Sequence, residues 1–214
     1  MAKTVPKKKT LGLRLNRYTS LPIALDVLSE KRITLLSPDA WEDRNDAYYL
    51  ERYREEMKFR SVLAICFSTR SETFHQWRVF SSGLSGVGIE FDKSGLFPSI
   101  ADQKGFRSGK MSYKPVLWLL NNRPEIEKWP FLKRKPFEDE AEFRIIYETK
   151  TDHLRSKNVD IDLSAIRRVT LSPWVPESVA ESVMSIIKNI DGCRRLTVNR
   201  SSLIDNAGWR RAID

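Results

Sequence analysis

The sequence predicts an α+β fold in which a mixed or largely antiparallel central sheet is flanked by helices. Short segments that alternate apolar and polar residues are typical of half-buried strands. Between them, apolar residues recur three or four positions apart, as they do in amphipathic helices. The connections are irregular and the middle of the chain is rich in strands. These features favour a mixed sheet over the regular alternation of a doubly wound parallel sheet.

The first half of the chain contains both patterns. Leucines at every second position predict a strand over 11–18. Ser20 can cap a following helix that carries Pro22 in its first turn. Apolar residues recur at helical spacing from Ala47 onwards, so a surface helix is expected over 46–59. The other predicted elements of this half are a strand at 33–36, a strand at 62–68, a short helix at 73–80 and a strand at 86–91.

The second half is less regular. Apolar residues at every second position from Phe143 predict a strand over 142–147 whose apolar face enters the core. An apolar stripe that begins at Val179 predicts a helix over 176–190. The remaining assignments are irregular chain at 94–109, a strand at 110–113, a helix or long loop at 115–128, strands at 168–171 and 196–198, and no assignment after Asp205.

One globular domain is expected over residues 11–214, preceded by a disordered basic tail over residues 1–10 that lacks apolar periodicity. The longest apolar runs are far shorter than the ~20 residues of a membrane-spanning helix, so no membrane partner is expected. No apolar signal core follows the basic start. Cys66 and Cys193 lie far apart, and nothing indicates an oxidising compartment, so a cytoplasmic location is expected. The sequence leaves the oligomeric state open.

The formal charge of +9 is concentrated in two segments. Residues 1–25 contain six basic residues and no acid, and residues 93–135 contain ten basic residues against three acids. A polyanionic partner, either a nucleic acid or an acidic protein, would meet these segments. Within them Lys133, Arg134 and Lys135 form a compact run that would contact phosphates. The alternative is a solvated surface that only aids solubility.

Several familiar sites are missing from the sequence. Residues 105–110 are one residue short of a phosphate-binding P-loop, and Met111 replaces the hydroxyl residue that would hold magnesium. His75 and His153, together with two scattered cysteines, form no zinc-binding pattern. No metal is therefore expected.

Four blocks, taken in order, resemble an uncharacterised bacterial family known only as a domain of unknown function. They are Arg17-Tyr18 with Ser37-Pro38, Trp41, Asp43 and Asp46; Cys66-Phe67-Ser68 with Trp77; Gly86 with residues 89–92; and Phe137, Glu140, Glu142, Phe143 and Arg144. Glu42 and Arg44 depart from the family's Asn-Asp-Pro, and Val79-Phe80 stands where the family often has His-Tyr. The resemblance implies that the acids and Trp77 of these blocks lie near the strand of the fourth block. It brings no established activity.

The fourth block indicates a chemistry. In an extended strand, Glu140, Glu142 and Arg144 would share one face, opposite Phe143 and Ile145. Two carboxylates and a guanidinium would then be displayed together on rigid backbone. An exposed ladder of ion pairs, which is only weakly stabilising, has the same pattern and is the alternative.

The order of three motifs also resembles ADP-ribosyltransferases of the arginine–serine–glutamate type. These enzymes have an arginine on the first core strand, a strand-borne Ser-Thr and a late Glu-x-Glu, matched here by Arg17, Ser68-Thr69 and Glu140-x-Glu142. Loss of nicotinamide from NAD builds positive charge on the ribose, and a carboxylate stabilises that charge. The resemblance implies Glu142 as the catalytic carboxylate, with Glu140 aiding the acceptor. It also implies Arg17 on the NAD diphosphate and Ser68 with Thr69 ordering the pocket.

The same resemblance implies a nucleic acid or an intracellular protein as acceptor, and a toxin or phage-defence role. Arg17 as a surface residue and Ser68 as a strand-end hydrogen-bonding residue are the alternatives. A second hypothesis is a non-catalytic nucleic-acid-binding module, because aromatic residues interleave with the basic segment and could stack on bases. These residues are Phe106, Tyr113, Trp118 and Trp129. Aromatic residues of a protein core have the same spacing.

Overall fold

The computed structural model describes residues 13–81, 83–100 and 103–213, which form a nine-stranded sheet and a separate two-stranded sheet. The strands are β1 (Arg14–Ser20), β2 (Arg32–Leu36), β3 (Ser61–Ser68), β4 (Gly86–Asp92), β5 (Phe106–Lys110), β6 (Ser112–Lys114), β7 (Leu132–Arg134), β8 (Glu142–Thr149), β9 (Ser156–Asp160), β10 (Ile166–Leu171) and β11 (Thr197–Arg200). The α-helices are α1 (Leu21–Glu30), α2 (Arg44–Glu56), α3 (Phe74–Phe80), α4 (Lys93–Leu96), α5 (Val116–Asn121), α6 (Glu177–Asn189) and α7 (Ala207–Arg211). Within the described ranges, no helix has both the length and the apolar character needed to cross a bilayer.

The predicted α+β class is confirmed, with a mostly antiparallel sheet and flanking helices. The stretch 94–109, expected to be irregular, contains most of α4 and β5. β9 was not expected, because Val159 is its one buried residue and its polar neighbours hide the alternation. The unassigned end of the chain forms α7. The predicted tail 1–10, and the start of the predicted strand 11–18, lie outside the described residues.

The large sheet runs in the order β11-β10-β4-β1-β3-β2-β9 and branches at β3, where β8 and then β5 continue it. β1 pairs with β4 along seven residues and β3 pairs with β8 along eight, all antiparallel. One face of the sheet packs with α1 and α6 into the main core, to which the central strands contribute alternate apolar residues. Strand members of this core include Leu15, Ile65, Phe67, Ile89, Phe143, Ile145 and Val169.

β1 and β3 meet at a single point, where Asn16 lies opposite Ser68. Next to this point the Arg17 side chain takes the place of a strand partner, since its Nη1 donates to the Cys66 carbonyl oxygen at 3.1 Å. A backbone carbonyl left unpaired inside a protein needs such a donor. The sheet therefore opens between β1 and β3.

The other face of β3 and β8 is covered by α2 and by the 3-10 helix Ile126–Phe131. The carboxylate of Asp43 caps α2, accepting from the backbone N–H of Asn45 at 3.0 Å and of Asp46 at 3.3 Å. Further along α2, Leu50 packs against β3. This cap and this packing place the first turn of α2, with Asp46, over the charged face of β8.

Candidate functional site

A cavity of about 390 Å³ lies beside the opening between β1 and β3 and is called the acid cavity below. Its charged lining residues are Arg17, Glu42, Asp43, Asp46, Lys133, Glu140, Glu142 and Arg144. Its aromatic lining residues are Tyr18, Trp41, Phe67, Phe80 and Phe137. Residues from the separate stretches 16–18, 41–46, 66–80 and 133–144 therefore meet at this cavity.

β8 supplies the floor of the acid cavity. Glu142 and Arg144 face the cavity, whereas Phe143 and Ile145 enter the main core, as the period-two alternation predicts. The alternative of an exposed ion-pair ladder is wrong, because the side chains of Arg144 and Glu142 are 0% and 5% exposed. Because these ion pairs are buried, water does not screen the attraction between their charges.

Glu140 lies outside the strand, so the prediction that it shares the strand face is wrong in that respect. It ends the 3-10 helix Lys135–Glu140, and Ala141 follows in the left-handed conformation with φ of 45°. A left-handed alanine is uncommon because its Cβ crowds the backbone. The reversal at Ala141 nevertheless brings the Glu140 carboxylate to the same lysine as that of Glu142.

All three guanidinium nitrogens of Arg144 donate hydrogen bonds to protein groups. Its Nε donates to Glu142 at 2.8 Å, and its Nη1 donates to Asp46 at 2.9 Å and to the Pro130 carbonyl oxygen at 3.0 Å. Its Nη2 donates to the second oxygen of Asp46. The guanidinium carbon lies 4.8 Å from the centre of the Trp41 ring, within cation–π range. With its donors engaged in this way, Arg144 fixes two carboxylates in place.

Lys133 belongs to the same cluster. Its side chain is 8% exposed, and its ammonium donates to Glu140 and, at 3.2 Å, to Glu142. The ammonium also lies 3.6 Å from a carboxylate oxygen of Asp46. Lys133 and Arg144 therefore place two cations among three carboxylates, which is the condition under which buried charges are tolerated.

The two glutamates differ in acidity. Burial raises the pKa of Glu140 to about 7, although Lys133 opposes that rise. Burial would also raise the pKa of Glu142, but Arg144 and Lys133 outweigh it and lower that pKa to about 2. Glu142 is therefore ionised at neutral pH, whereas Glu140 can gain or lose a proton there. Neighbouring carboxyl groups with pKa values separated in this way are typical of acid–base sites.

Arg17 and Cys66 form the wall next to the opening in the sheet. Among the described residues, Arg17 makes no ion pair, and burial lowers the pKa of its guanidinium. A partly buried cation in this position is a favourable partner for an anionic ligand. Burial raises the pKa of the Cys66 thiol, and the nearby Glu142 raises it further, so the thiol stays protonated beside Glu142.

Ser68 and Thr69 hold the turn that carries Glu140. The Ser68 hydroxyl donates to the Glu140 carbonyl oxygen and accepts from Gln76 Nε2, both at 2.7 Å. The backbone N–H and the hydroxyl of Thr69 both donate to the Ala141 carbonyl oxygen at 2.9 Å. Ser68 lines the acid cavity, whereas Thr69 does not. Their contacts are those of strand-end residues that position backbone.

A second hollow of about 440 Å³, called the outer groove, lies on the other side of β1. Its floor is formed by Asn16, Tyr18, Gly88, Glu90, Arg168 and Thr170.

Trp77 lines this outer groove and not the acid cavity. Its Nε1 donates to Glu72 at 2.6 Å, and its ring meets that of Tyr18 edge-on with centres 5.1 Å apart. Of the residues that the family resemblance groups together, Asp43 and Asp46 reach the acid cavity, and Trp77 lies across β1 from it.

The three basic residues predicted to contact nucleic-acid phosphates, Lys133, Arg134 and Lys135, lie in two different environments. The expectation that Lys133 contacts phosphates is wrong, because its ammonium is buried among carboxylates. Arg134 and Lys135 are exposed, and Lys135 pairs with Glu138 at 2.6 Å. These two residues remain open to a partner.

Most of the aromatic residues expected to stack on bases serve packing instead. Phe106 packs on the main core, and Trp129 packs on the cluster around Leu50. The Tyr113 hydroxyl accepts from the backbone N–H of Glu142 at 2.8 Å, so it supports the floor of the acid cavity. Trp118 is partly exposed beside a lysine, as a stacking residue would be.

Sequence reasoning missed the roles of Lys133, Trp41 and Cys66 in the acid cavity. Lys133 was assigned to a basic surface because two further basic residues follow it. A usable signal was present, since an acid-rich stretch at 138–142 follows this basic run directly and could neutralise part of it. Trp41 and Cys66 carried no such signal, because their contacts with Arg144 and Glu142 join distant parts of the chain.

No protein-family model and no curated protein matches the chain. Among solved structures, Thermus sp. 2.9 DarT in complex with ADP-ribosylated ssDNA is similar at 12% identity and a TM-score of 0.44, covering 94% of this chain and 98% of that one. The same protein in complex with NAD+ gives 10% identity and a TM-score of 0.45, covering 92% and 98%. At this identity and this TM-score, the likeness carries no information about the chemistry of the present chain.

Proposed function

We propose that this chain is an ADP-ribosyltransferase-like enzyme that cleaves NAD in the acid cavity and transfers ADP-ribose to a nucleic acid or an intracellular protein. One observation carries the proposal. Arg17, a partly buried cation with no ion pair among the described residues, lines the same cavity as two neighbouring carboxyl groups of different pKa. The NAD diphosphate needs a cation and the reacting ribose needs a carboxylate. The acid cavity offers both.

The chemistry assigns different roles to the two glutamates. The ionised Glu142 stabilises positive charge on the ribose as the bond between the anomeric carbon and the nicotinamide nitrogen breaks. Nicotinamide leaves with the bonding electron pair, and a hydroxyl or nitrogen of the acceptor forms the new bond to the anomeric carbon. Glu140 accepts the proton that the acceptor loses, because a base with a pKa near the working pH is effective in this role.

The remaining residues orient these groups. Arg144 and Lys133 keep the Glu142 carboxylate ionised and fixed, so little reorganisation is needed as charge develops. Ser68 holds the turn that carries Glu140. Trp41, a partly buried wall residue, supplies a flat apolar surface for a heteroaromatic ring. Transfer to a nucleic acid or protein target would suit a toxin or a phage-defence effector.

The test follows nicotinamide release and label transfer from NAD labelled in its adenylate half, with single-stranded DNA, RNA and protein as acceptors. Glu142→Gln keeps the shape of the side chain and removes its charge, so turnover should fall about 100–1,000-fold. Glu138→Gln is the matched control, because Glu138 is exposed in the same 3-10 helix as Glu140 and lies outside the cavity. Circular dichroism must confirm that the variant is folded, since Glu142 is buried.

Arg17→Gln should instead raise the KM for NAD about 10–100-fold, the cost of one charged hydrogen bond to a phosphate. If the wild-type chain neither binds NAD nor releases nicotinamide with any acceptor, the proposal is wrong. If the wild type is active and Glu142→Gln is equally active, the reaction class stands and the assignment of Glu142 is wrong.

A further inference from the structure

The outer groove is built on three neighbouring strands. The register sets Asn16 of β1, Glu90 of β4 and Arg168 of β10 in one row across the sheet. Tyr18 and Gly88 lie in the next row, with Thr170 beyond them. Because side chains alternate along a strand, both rows point to the face opposite the main core. The floor of the groove is therefore polar and supported by rigid backbone.

The lining of the outer groove holds two arginines, Arg14 and Arg168, and two carboxylates, Glu72 and Glu90. Glu72 accepts hydrogen bonds from Trp77 and Ser201, whereas Glu90 lies among the arginines. The Glu90 carboxylate is nearly buried and receives Arg168 at 2.8 Å, Arg14 at 3.6 Å and Arg167 at 3.4 Å. Arg14 and Arg168 line the groove, and their side chains are 42% and 46% exposed. Several guanidinium groups share one carboxylate, so N–H donors remain for an added anion. Arginine forks match the oxygens of a phosphate well.

The groove also offers a flat surface beside these cations. Tyr18 stands edge-on to Trp77, and the neighbouring Gly88 contributes no side chain. The carboxamide of Asn16 uses its N–H to bind the Arg70 carbonyl oxygen, which leaves its own oxygen as an acceptor. Thr170 adds a hydroxyl to the same floor. An aromatic surface, polar groups and a pair of arginines together suit a base, a sugar and a phosphate.

The outer groove borders the acid cavity, since Asn16 and Tyr18 line both hollows. We propose that the outer groove is a nucleotide subsite, with the phosphate on Arg14 and Arg168 and the base or sugar over Tyr18 and Gly88. This inference rests on the proposed function of the acid cavity. The nucleotide has two sources with the same chemistry, which are the adenylate half of NAD and a nucleotide of an acceptor nucleic acid.

The experiment measures AMP binding by calorimetry, without turnover. Arg168→Gln should weaken AMP binding about 10–100-fold, because it removes a charged donor to the phosphate. Arg167→Gln is the matched control: it too contacts Glu90, at 3.4 Å, but it lies outside the groove, so its affinity for AMP should equal that of the wild type. Both side chains are about half exposed, so both variants should fold.

Competition separates the two sources. If NAD displaces AMP and Arg168→Gln also weakens NAD binding, the groove holds the adenylate half of NAD. If a short single-stranded oligonucleotide displaces AMP and NAD does not, the groove holds an acceptor nucleotide. Absence of AMP binding by the wild type, or equal affinity of the two arginine variants, overturns the inference. Nicotinamide release is measured separately, so failure of AMP binding leaves the proposed NAD chemistry intact, and the two failures are distinguishable.

Discussion

Two arginine–carboxylate pairs lie on opposite sides of β1, and they differ in burial rather than in chemistry. Arg144 pairs with Glu142 at 2.8 Å in the acid cavity, and its side chain is 0% exposed. Arg168 pairs with Glu90 at the same distance in the outer groove, and its side chain is 46% exposed. Distance alone therefore does not distinguish a fixed pair from one that can exchange partners.

The groups that surround each pair decide whether its arginine can leave its carboxylate. Arg144 is enclosed by Asp46, Glu142 and the Pro130 carbonyl oxygen, so removing it leaves Lys133, among the described residues, as the one cation beside three carboxylates in a poorly hydrated site. Water reaches the half-exposed Arg168, and the nearly buried Glu90 keeps Arg14 and Arg167 beside it, so this single pair contributes little to stability. Arg168 can therefore turn from Glu90 to a ligand phosphate at small cost. We therefore expect the buried pair to shape the acid cavity and the open pair to be available to a ligand.

The largest expected effect compares these two arginines directly. Arg144→Met should lower the free energy of unfolding by about 3–5 kcal/mol, because it removes a cation from a buried ion network and leaves the carboxylates in place. Arg168→Met should lower it by less than about 1 kcal/mol, because Arg14 and Arg167 remain beside Glu90. Urea denaturation monitored by tryptophan fluorescence measures both.

Equal unfolding midpoints for the two variants would contradict the comparison. An Arg144→Met chain that does not accumulate as folded protein, beside an Arg168→Met chain that does, would support it. The slope of free energy against urea should not change for Arg168→Met, since the same surface is exposed on unfolding.

The next effect is a dependence of stability on pH that arises within the acid cavity. The folded state lowers the pKa of Glu142 from 4.5 to about 2, so the unfolded chain binds the extra proton and stability rises as pH goes from about 2 to 4.5. The folded state raises the pKa of Glu140 from 4.5 to about 7, so the folded chain holds the extra proton and stability falls between those values. The fall should amount to at most about 3 kcal/mol.

Glu140→Gln isolates the second part of this profile. The variant should lose the fall in stability between pH 4.5 and 7 and keep the rise below pH 4.5. Glu138→Gln, an exposed neighbour, should keep both. Thermal unfolding in a series of buffers of constant ionic strength measures the profiles. A wild-type stability that keeps rising up to pH 7 would show that Glu140 is ionised in the folded protein.

The smallest expected effect changes the outer groove without changing any charge. A Cβ atom at Gly88 would lie 3.4 Å from Tyr18 Cε1 and 3.6 Å from Trp77 Cη2, which are ordinary contact distances. Gly88→Ala should therefore raise the free energy of unfolding by about 0.5–1 kcal/mol, because alanine loses less backbone entropy in a strand. The same methyl group should weaken AMP binding, because it occupies the floor beside Tyr18. Unchanged AMP affinity would show that the ligand does not reach Gly88.

Local patterns predicted local features well. The alternation from Phe143 gives the direction of each side chain along β8, because successive residues of a strand point to opposite faces whatever lies around them. β9 was missed because its burial depends on pairing with β2, which the short polar sequence 156–160 does not reveal. Glu140 was placed in a strand because nothing local indicates that Ala141 adopts a left-handed conformation.

The sequence by itself determined the α+β class and which residues of β8 face away from the core, since both follow from short-range periodicity. Only the tertiary structure decided that Lys133 is an internal counterion rather than a surface cation, and that Arg17 and Glu142 share a cavity. The physical reason is that the charge state and partner of an ionisable group depend on desolvation and on distances of a few ångströms. Packing between residues far apart in the chain sets both quantities.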